Sequence, residues 1–158
     1  MPPKNFTGLR ADVQRELRNL ERLTDEAQQL TTDVSEPPTF REIRAAGSIL
    51  HDFYTAIERI FQRIAFEVDG SLPGGPDWHV HLLLRMASPV EGIRPPAVSE
   101  QLMEILGEYL RFRHLFRHVY GFELQWKRCS DLLSGLPLVR EQLRRELGAL
   151  DRFLESLA

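Results

Sequence analysis

The stretch that decides the fold is Thr39–Val68, TFREIRAAGSILHDFYTAIERIFQRIAFEV. Its apolar residues Ile43, Ala46, Ile49, Phe53, Ile57, Ile60, Ile64 and Val68 recur at steps of three and four, the repeat of one helix face and not of a strand. Thr39, followed three residues later by Glu42, forms the pattern of a capping box and sets the start of that helix. Upstream, Val13, Leu17, Leu20, Leu23, Ala27 and Leu30 continue the same period from Leu9, so a first helix is expected to end before Pro37 and Pro38. Downstream, the segment Gly70 to Pro76 breaks the period, and Asp77 is placed to cap a short helix carrying Trp78, Leu82, Leu83 and Met86.

A second proline-bearing loop, Ser88 to Val98, precedes Ser99, which reads as the N-cap of a fourth helix. Its apolar face is read as Leu102, Ile105, Tyr109, Phe112, Phe116, Val119, Phe122, Trp126, Cys129 and Leu133, a period carried through both Gly107 and Gly121. Pro137 suits the first turn of a fifth helix with Val139, Leu143, Leu147, Leu150, Leu154 and Leu157 on one stripe. No strand pattern competes. The expected fold is all-α, an antiparallel bundle of four long helices and one short one, forming a single domain over residues 1–158.

The chain has 158 residues, 42% hydrophobic and 27% charged, which fits one core. No apolar run reaches the roughly 18 residues of a membrane span, and the start from Met1 to Thr7 lacks the apolar core of a leader, so a cytoplasmic protein is expected. Cys129 is the only cysteine, which excludes an internal disulfide or a thiolate zinc cluster within one chain and reads as core filling. The formal charge of −3 speaks against a nucleic-acid partner, but the distribution is uneven. Between Arg111 and Arg128, five basic residues (Arg111, Arg113, Arg117, Lys127 and Arg128) face the single acid Glu123, with His114 and His118 among them.

On an ideal helix Arg113, Arg117 and Tyr120 form one stripe, and His114 and His118 the next, about 100° round. An arginine fork grips phosphate and offsets developing charge, and an imidazole moves protons near neutral pH, so the set suits phosphodiester cleavage. Two plainer readings compete. His114 and His118, spaced i and i+4, also suit a metal, although no third ligand in a zinc motif accompanies them and the arginines repel a cation. The whole set also suits a solvated basic face.

Arg113-His114-Leu115-Phe116-Arg117-His118-Val119-Tyr120 resembles the signature of the HEPN superfamily, an arginine followed by a polar residue and, after four to six positions, a histidine. His118-Val119-Tyr120 resembles the His-x-Tyr of the HepT toxin branch. Further likeness lies in His51-Asp52-Phe53-Tyr54 with Glu58-Arg59-Ile60-Phe61, in Asp77-Trp78-His79, and from Tyr120 to Trp126, so the resemblance spans about residues 45 to 135. It implies a metal-independent endoribonuclease toxin without a cofactor, dimeric, with RNA of a tRNA-like kind as substrate and Arg113 and His118 as the catalytic pair. Arg111, His114 and Arg117 are the expected phosphate contacts. The resemblance also implies a minimal nucleotidyltransferase antitoxin that transfers AMP to Tyr120. The alternative is a non-catalytic HEPN module that binds nucleotide or a partner protein.

Asp52, Tyr54 and Glu58 on the second helix are candidate partners that orient the catalytic histidine, Glu58 alternatively forming an exposed ion pair with Arg59 or Arg63. Trp78 reads as a cap over the bundle, and His51 and His79 take no assigned role. Arg113 and His118 both lie off the chosen apolar stripe, so alanine at either is expected to leave the fold intact. They are also about 140° apart around one helix, which favours a two-fold dimer with fourth helices crossing near Gly107 and Gly121.

Overall fold

The computed structural model of the protein describes residues 4–158; Met1 to Pro3, part of the polar start noted above, lie outside the described residues. Helix α1 spans Thr7–Asp33, α2 Phe40–Ile64, α3 Trp78–Met86, α4 Glu100–His118 and α5 Trp126–Ser156. Among the described residues these helices carry the architecture and no strand forms. No helix is long and apolar enough to cross a membrane.

The capping box at α2 forms as expected: Thr39 accepts from the Glu42 backbone N–H, and the Glu42 side chain accepts from the Thr39 N–H. α2 then occupies the centre, because apolar residues surround most of its circumference, and it touches every other helix. Its buried face includes Ile49, Leu50, Phe53, Tyr54, Ile57, Ile60, Phe61 and Ile64. Ion pairs fix the directions of the outer helices. Asp12, near the start of α1, meets Arg63 at the end of α2, and Arg10 meets Asp151 near the end of α5. Ser99 at the start of α4 hydrogen-bonds Glu146 on α5, and the Tyr109 hydroxyl donates to the Leu132 carbonyl at 2.7 Å. α1 therefore runs antiparallel to α2 and α5, and α4 antiparallel to α5, as in a helical bundle, whereas the short α3 runs from His79 beside Glu58 to Arg85 beside Ser71, in the direction of α2.

The C-terminal third departs from the expected boundaries. α4 stops at His118, Val119 is extended, Gly121–Glu123 form one 3-10 turn, and α5 starts at Trp126 and runs straight through Pro137. A single helix from Ser99 to Leu133 would be roughly 50 Å long, well beyond α2, and would carry its last apolar residues past the core. Reversal at Val119 to Gln125 instead returns Cys129 and Leu133 to the bundle, where they form one buried stripe with Leu136, Val139, Leu143, Leu147, Leu150 and Leu154. Phe122, read above as core, is 60% exposed. Cys129 is fully buried, and burial pushes its thiol up to about 11, consistent with packing alone.

The loop before α4 is built round a charge. Arg94, almost fully buried, donates through Nε and Nη2 to both oxygens of Asp69 at 2.6 and 2.9 Å, and through Nη1 and Nη2 to the carbonyls of Ser88, Pro95 and Arg85. All five guanidinium N–H groups are thus satisfied, which is what makes a buried arginine tolerable. Asp69 reaches it because α2 ends in a π turn, Ala65–Asp69, closed by Gly70 at φ +88°. This clasp holds the end of α3 against the entry to α4.

Two glycines make the packing testable. A Cβ at Gly47 would sit 2.8 Å from both Phe116 and Leu124, so the end of α4 and the following turn close directly on α2 there; at Gly107 the nearest atom is 3.5 Å away. Gly47→Ala is expected to lower stability by about 1–3 kcal/mol through overpacking. Gly107→Ala, in an open helical position, should raise it by up to about 1 kcal/mol. Denaturant melts of the two variants check both signs.

Candidate phosphodiester site between α3 and α4

α3 and α4 border a cleft of about 1000 Å³. Arg111, Arg113, His114, Arg117 and His118 from α4 all line it, and His79 faces them from α3. Most of the residues that helix spacing placed on one side of a rod therefore share one solvent-filled space. They do not share one environment.

Arg113 is buried, with its side chain 6% exposed, and Glu58 beneath it is 8% exposed. Arg113 Nη2 donates to both carboxylate oxygens of Glu58 at 2.9 Å, and the guanidinium carbon lies 5.0 Å from the centroid of the Tyr54 ring. Burial and the nearby Glu58 carboxylate push the Tyr54 phenol well above its ordinary range, against the opposing pull of Arg113, so it stays protonated. Arg113 Nη1 also approaches the Thr55 hydroxyl at 3.5 Å. The reason for its burial is helical phase: Arg113 follows Tyr109 by four residues and Leu106 by seven, and all three lie on the buried face. The expectation that Arg113 lies off the core stripe is corrected accordingly.

Glu58 does not form the exposed pair with Arg59 or Arg63 considered above; Arg63 pairs with Asp12 and Glu67. Nor does it reach His118. Its second partner is His79, whose Nδ1 lies 2.7 Å from Glu58 Oε2 and 2.9 Å from Arg113 Nη2. One ring nitrogen cannot serve both neighbours. At 2.7 Å from a carboxylate, Nδ1 must carry the proton and donate to Glu58, which leaves the Arg113 approach as a close contact and the other ring nitrogen, Nε2, unengaged by this network. The Trp78 ring lies over the imidazole at 3.6 Å between centroids. Sequence reasoning quoted His79 but gave it no role; its signal was the position at the start of α3, directly after a glycine- and proline-rich loop.

The remaining candidates fall elsewhere. His114 and His118 are exposed, with ring centroids 4.5 Å apart, and among the described residues neither side chain has a hydrogen-bond or ion-pair partner. Arg111 is exposed and pairs with Glu108. Asp52 leaves the group: it is exposed, lies 3.6 Å from His51, and borders a separate groove against α1. His51 packs on Phe116. Tyr120 is off the helix, 69% exposed, and stacked on Phe122 at 5.2 Å. Gly121 follows it in the 3-10 turn, beyond the end of α4 at His118, so it does not lie on the helix that was expected to cross its mate there; a Cβ at Gly121 would sit 2.5 Å from Arg44 Nε. Gly107 does line the cleft. Among the described residues no three of His, Cys, Asp or Glu are grouped to hold a metal ion.

Removing one member of a buried pair strands the other charge, which costs about 3–5 kcal/mol. Arg113→Ala is therefore expected to lower the melting temperature by on the order of 10 °C in a chain of this size. The double variant Arg113→Met with Glu58→Leu should recover most of that loss, and His118→Ala should stay within about 0.5 kcal/mol of the parent. Calorimetry of the three variants checks the order.

A family model of HepT-like proteins matches residues 45–154, which runs from the second turn of α2 to Leu154 near the end of α5 and leaves α1 outside. No curated protein and no solved structure matches the chain.

Proposed function

Starting from a chain that belongs to the HepT-like protein family, we propose that it is a metal-independent endoribonuclease acting in the cleft between α3 and α4. The observation that carries this reading is the convergence of Arg111, Arg113, Arg117, His114 and His118 on one cleft large enough for a nucleotide. Asp77, Glu104 and Glu108 line the same cleft, and Arg111 and Arg113 are ion-paired, so the positive charge available to a phosphate is local, at Arg117 and the guanidinium of Arg113. Arg113, rigidly held by Glu58, offsets charge as it builds on the scissile phosphate. His118, exposed at the last turn of α4, exchanges protons with the reacting oxygens. The nucleophile is the RNA 2′-hydroxyl, and the products are a 2′,3′-cyclic phosphate and a 5′-hydroxyl.

The same reading makes the chain the toxin of a pair in which a minimal nucleotidyltransferase transfers AMP to Tyr120. The exposure of that ring, outside any helix, supports it, since a modifying enzyme must surround its acceptor. An added adenylyl group places a bulky anion after Arg117 and His118, where it opposes incoming RNA. The active species is a two-fold dimer, for which Leu115 on α4 and Val80 and Leu84 on α3 offer exposed apolar contacts at the cleft. One observation favours the other reading, a non-catalytic module binding nucleotide or protein: Arg113 is already neutralised by Glu58 in the free chain.

Incubation with total RNA in EDTA separates the two. The enzyme reading expects cleavage with 2′,3′-cyclic phosphate ends and a loss of at least about 100-fold in His118→Ala. Binding without cleavage supports the module instead. Arg117→Ala is expected to flatten the slope of log affinity against log salt by about one charge. An unchanged slope in a filter-binding series removes Arg117 from the phosphate contacts.

A further inference from the structure

Two imidazoles of α4, His114 and His118, are exposed, while the one imidazole fixed against Arg113 comes from α3. His79 is held at Nδ1 by the buried Glu58 carboxylate, shielded on one face by Trp78, 27% exposed, and part of the wall of the same cleft. A carboxylate bonded to Nδ1–H fixes the tautomer with its lone pair on Nε2 and stabilises the imidazolium that forms when Nε2 takes a proton. Arg113 and His118, five residues and about 140° apart on α4, line the same cleft but approach it from different directions.

We propose that His79, positioned by Glu58 beside Arg113, is a catalytic base of this cleft, a role that rests on the ribonuclease reading above. Nε2 of neutral His79 accepts the proton of the RNA 2′-hydroxyl as the O2′–P bond forms. The P–O5′ bond breaks, and the departing O5′ takes a proton from the His118 imidazolium. One proton enters and one leaves the protein, so the charge of the two histidines together is unchanged. The new charge on His79 lies against Glu58, which it shares with the Arg113 guanidinium 2.9 Å from the same Nδ1, and Arg113 remains to offset the phosphorane. Glu58 is a positioning residue for both groups, touching neither substrate oxygen. The arrangement places an acid and a base on two different helices, which lets each approach its own oxygen on opposite sides of phosphorus.

The test uses an RNA oligonucleotide spanning a bond that the full-length wild type cuts, made once with its natural linkage and once with sulfur in place of the bridging O5′. A thiolate leaves without protonation, so loss of the acid is masked on the sulfur substrate and loss of the base is not. His79→Asn keeps an amide N–H for Glu58 while removing the base, and should be folded by circular dichroism. It is expected to lose at least about 100-fold on both substrates. His118→Ala should lose as much on the natural linkage and recover on sulfur. Added imidazole should restore part of the activity of His79→Ala. His79→Asn cleaving the natural linkage within twofold of wild type overturns the role of His79 alone, and so does its recovery on sulfur, which would make His79 the acid. Failure of the wild type to cut any RNA overturns this inference together with the ribonuclease reading.

Discussion

The ion pair between Arg113 and Glu58 is the constraint on which the geometry of the cleft depends. Both groups lie inside the bundle, where an unpaired charge is costly and a bidentate one is tolerated. Glu58 belongs to the central helix, Arg113 to α4, and the next partner, His79, to α3, so one carboxylate ties three elements at one point. Apolar packing alone leaves small slides between helices nearly equal in energy. A hydrogen-bonded pair with fixed distances does not, and it therefore sets where the cleft walls stand relative to each other. The second buried arginine, Arg94, does the same for the loop leading into α4 by satisfying all five of its donors on Asp69 and three carbonyls.

This constraint also divides the site into a buried floor and an exposed rim. Arg113, Glu58, His79 and Tyr54 are packed, mutually bonded and held by α2. Arg111, His114, Arg117 and His118 stand in solvent on the last two turns of α4, with rotamer freedom to lose on binding. A buried, hydrogen-bonded floor suits preorganised stabilisation of charge, and exposed side chains at the rim suit contact with a polyanion. Burial of the arginine is thus compatible with a phosphate site whose local field is positive only at its edge.

The first three helices were legible because their apolar periods are unbroken. Thr39 with Glu42 and Ser99 with the Leu102 N–H form as the sequence suggests, although Asp77 makes no side-chain cap bond at α3. The α4–α5 boundary was not legible, since Trp126, Cys129 and Leu133 continue the phase of α4 as well as they begin that of α5. Only the length of the bundle, a tertiary quantity, decides between them. In the site, the charged residues of α4 were found by type, but the burial of Arg113 was missed. The signal was present: Arg113 is in phase with Leu106 and Tyr109, and Glu58 with Tyr54 and Phe61, two opposite charges each within an apolar stripe. Arg94 sits in a loop without period, and no local pattern distinguishes it from a surface arginine.

The central claim is that the cleft over the Arg113–Glu58–His79 floor receives an RNA phosphodiester. Its most direct measurement is a side-chain NMR titration of the wild type with an RNA oligonucleotide methylated at every 2′-oxygen, which binds without being cut. The imidazole signals of His79 and His118 and the Arg113 guanidinium signal are expected to move together along one saturable isotherm that weakens as salt is raised. Movement confined to residues outside the cleft, with these three side chains unperturbed at saturation, would contradict it.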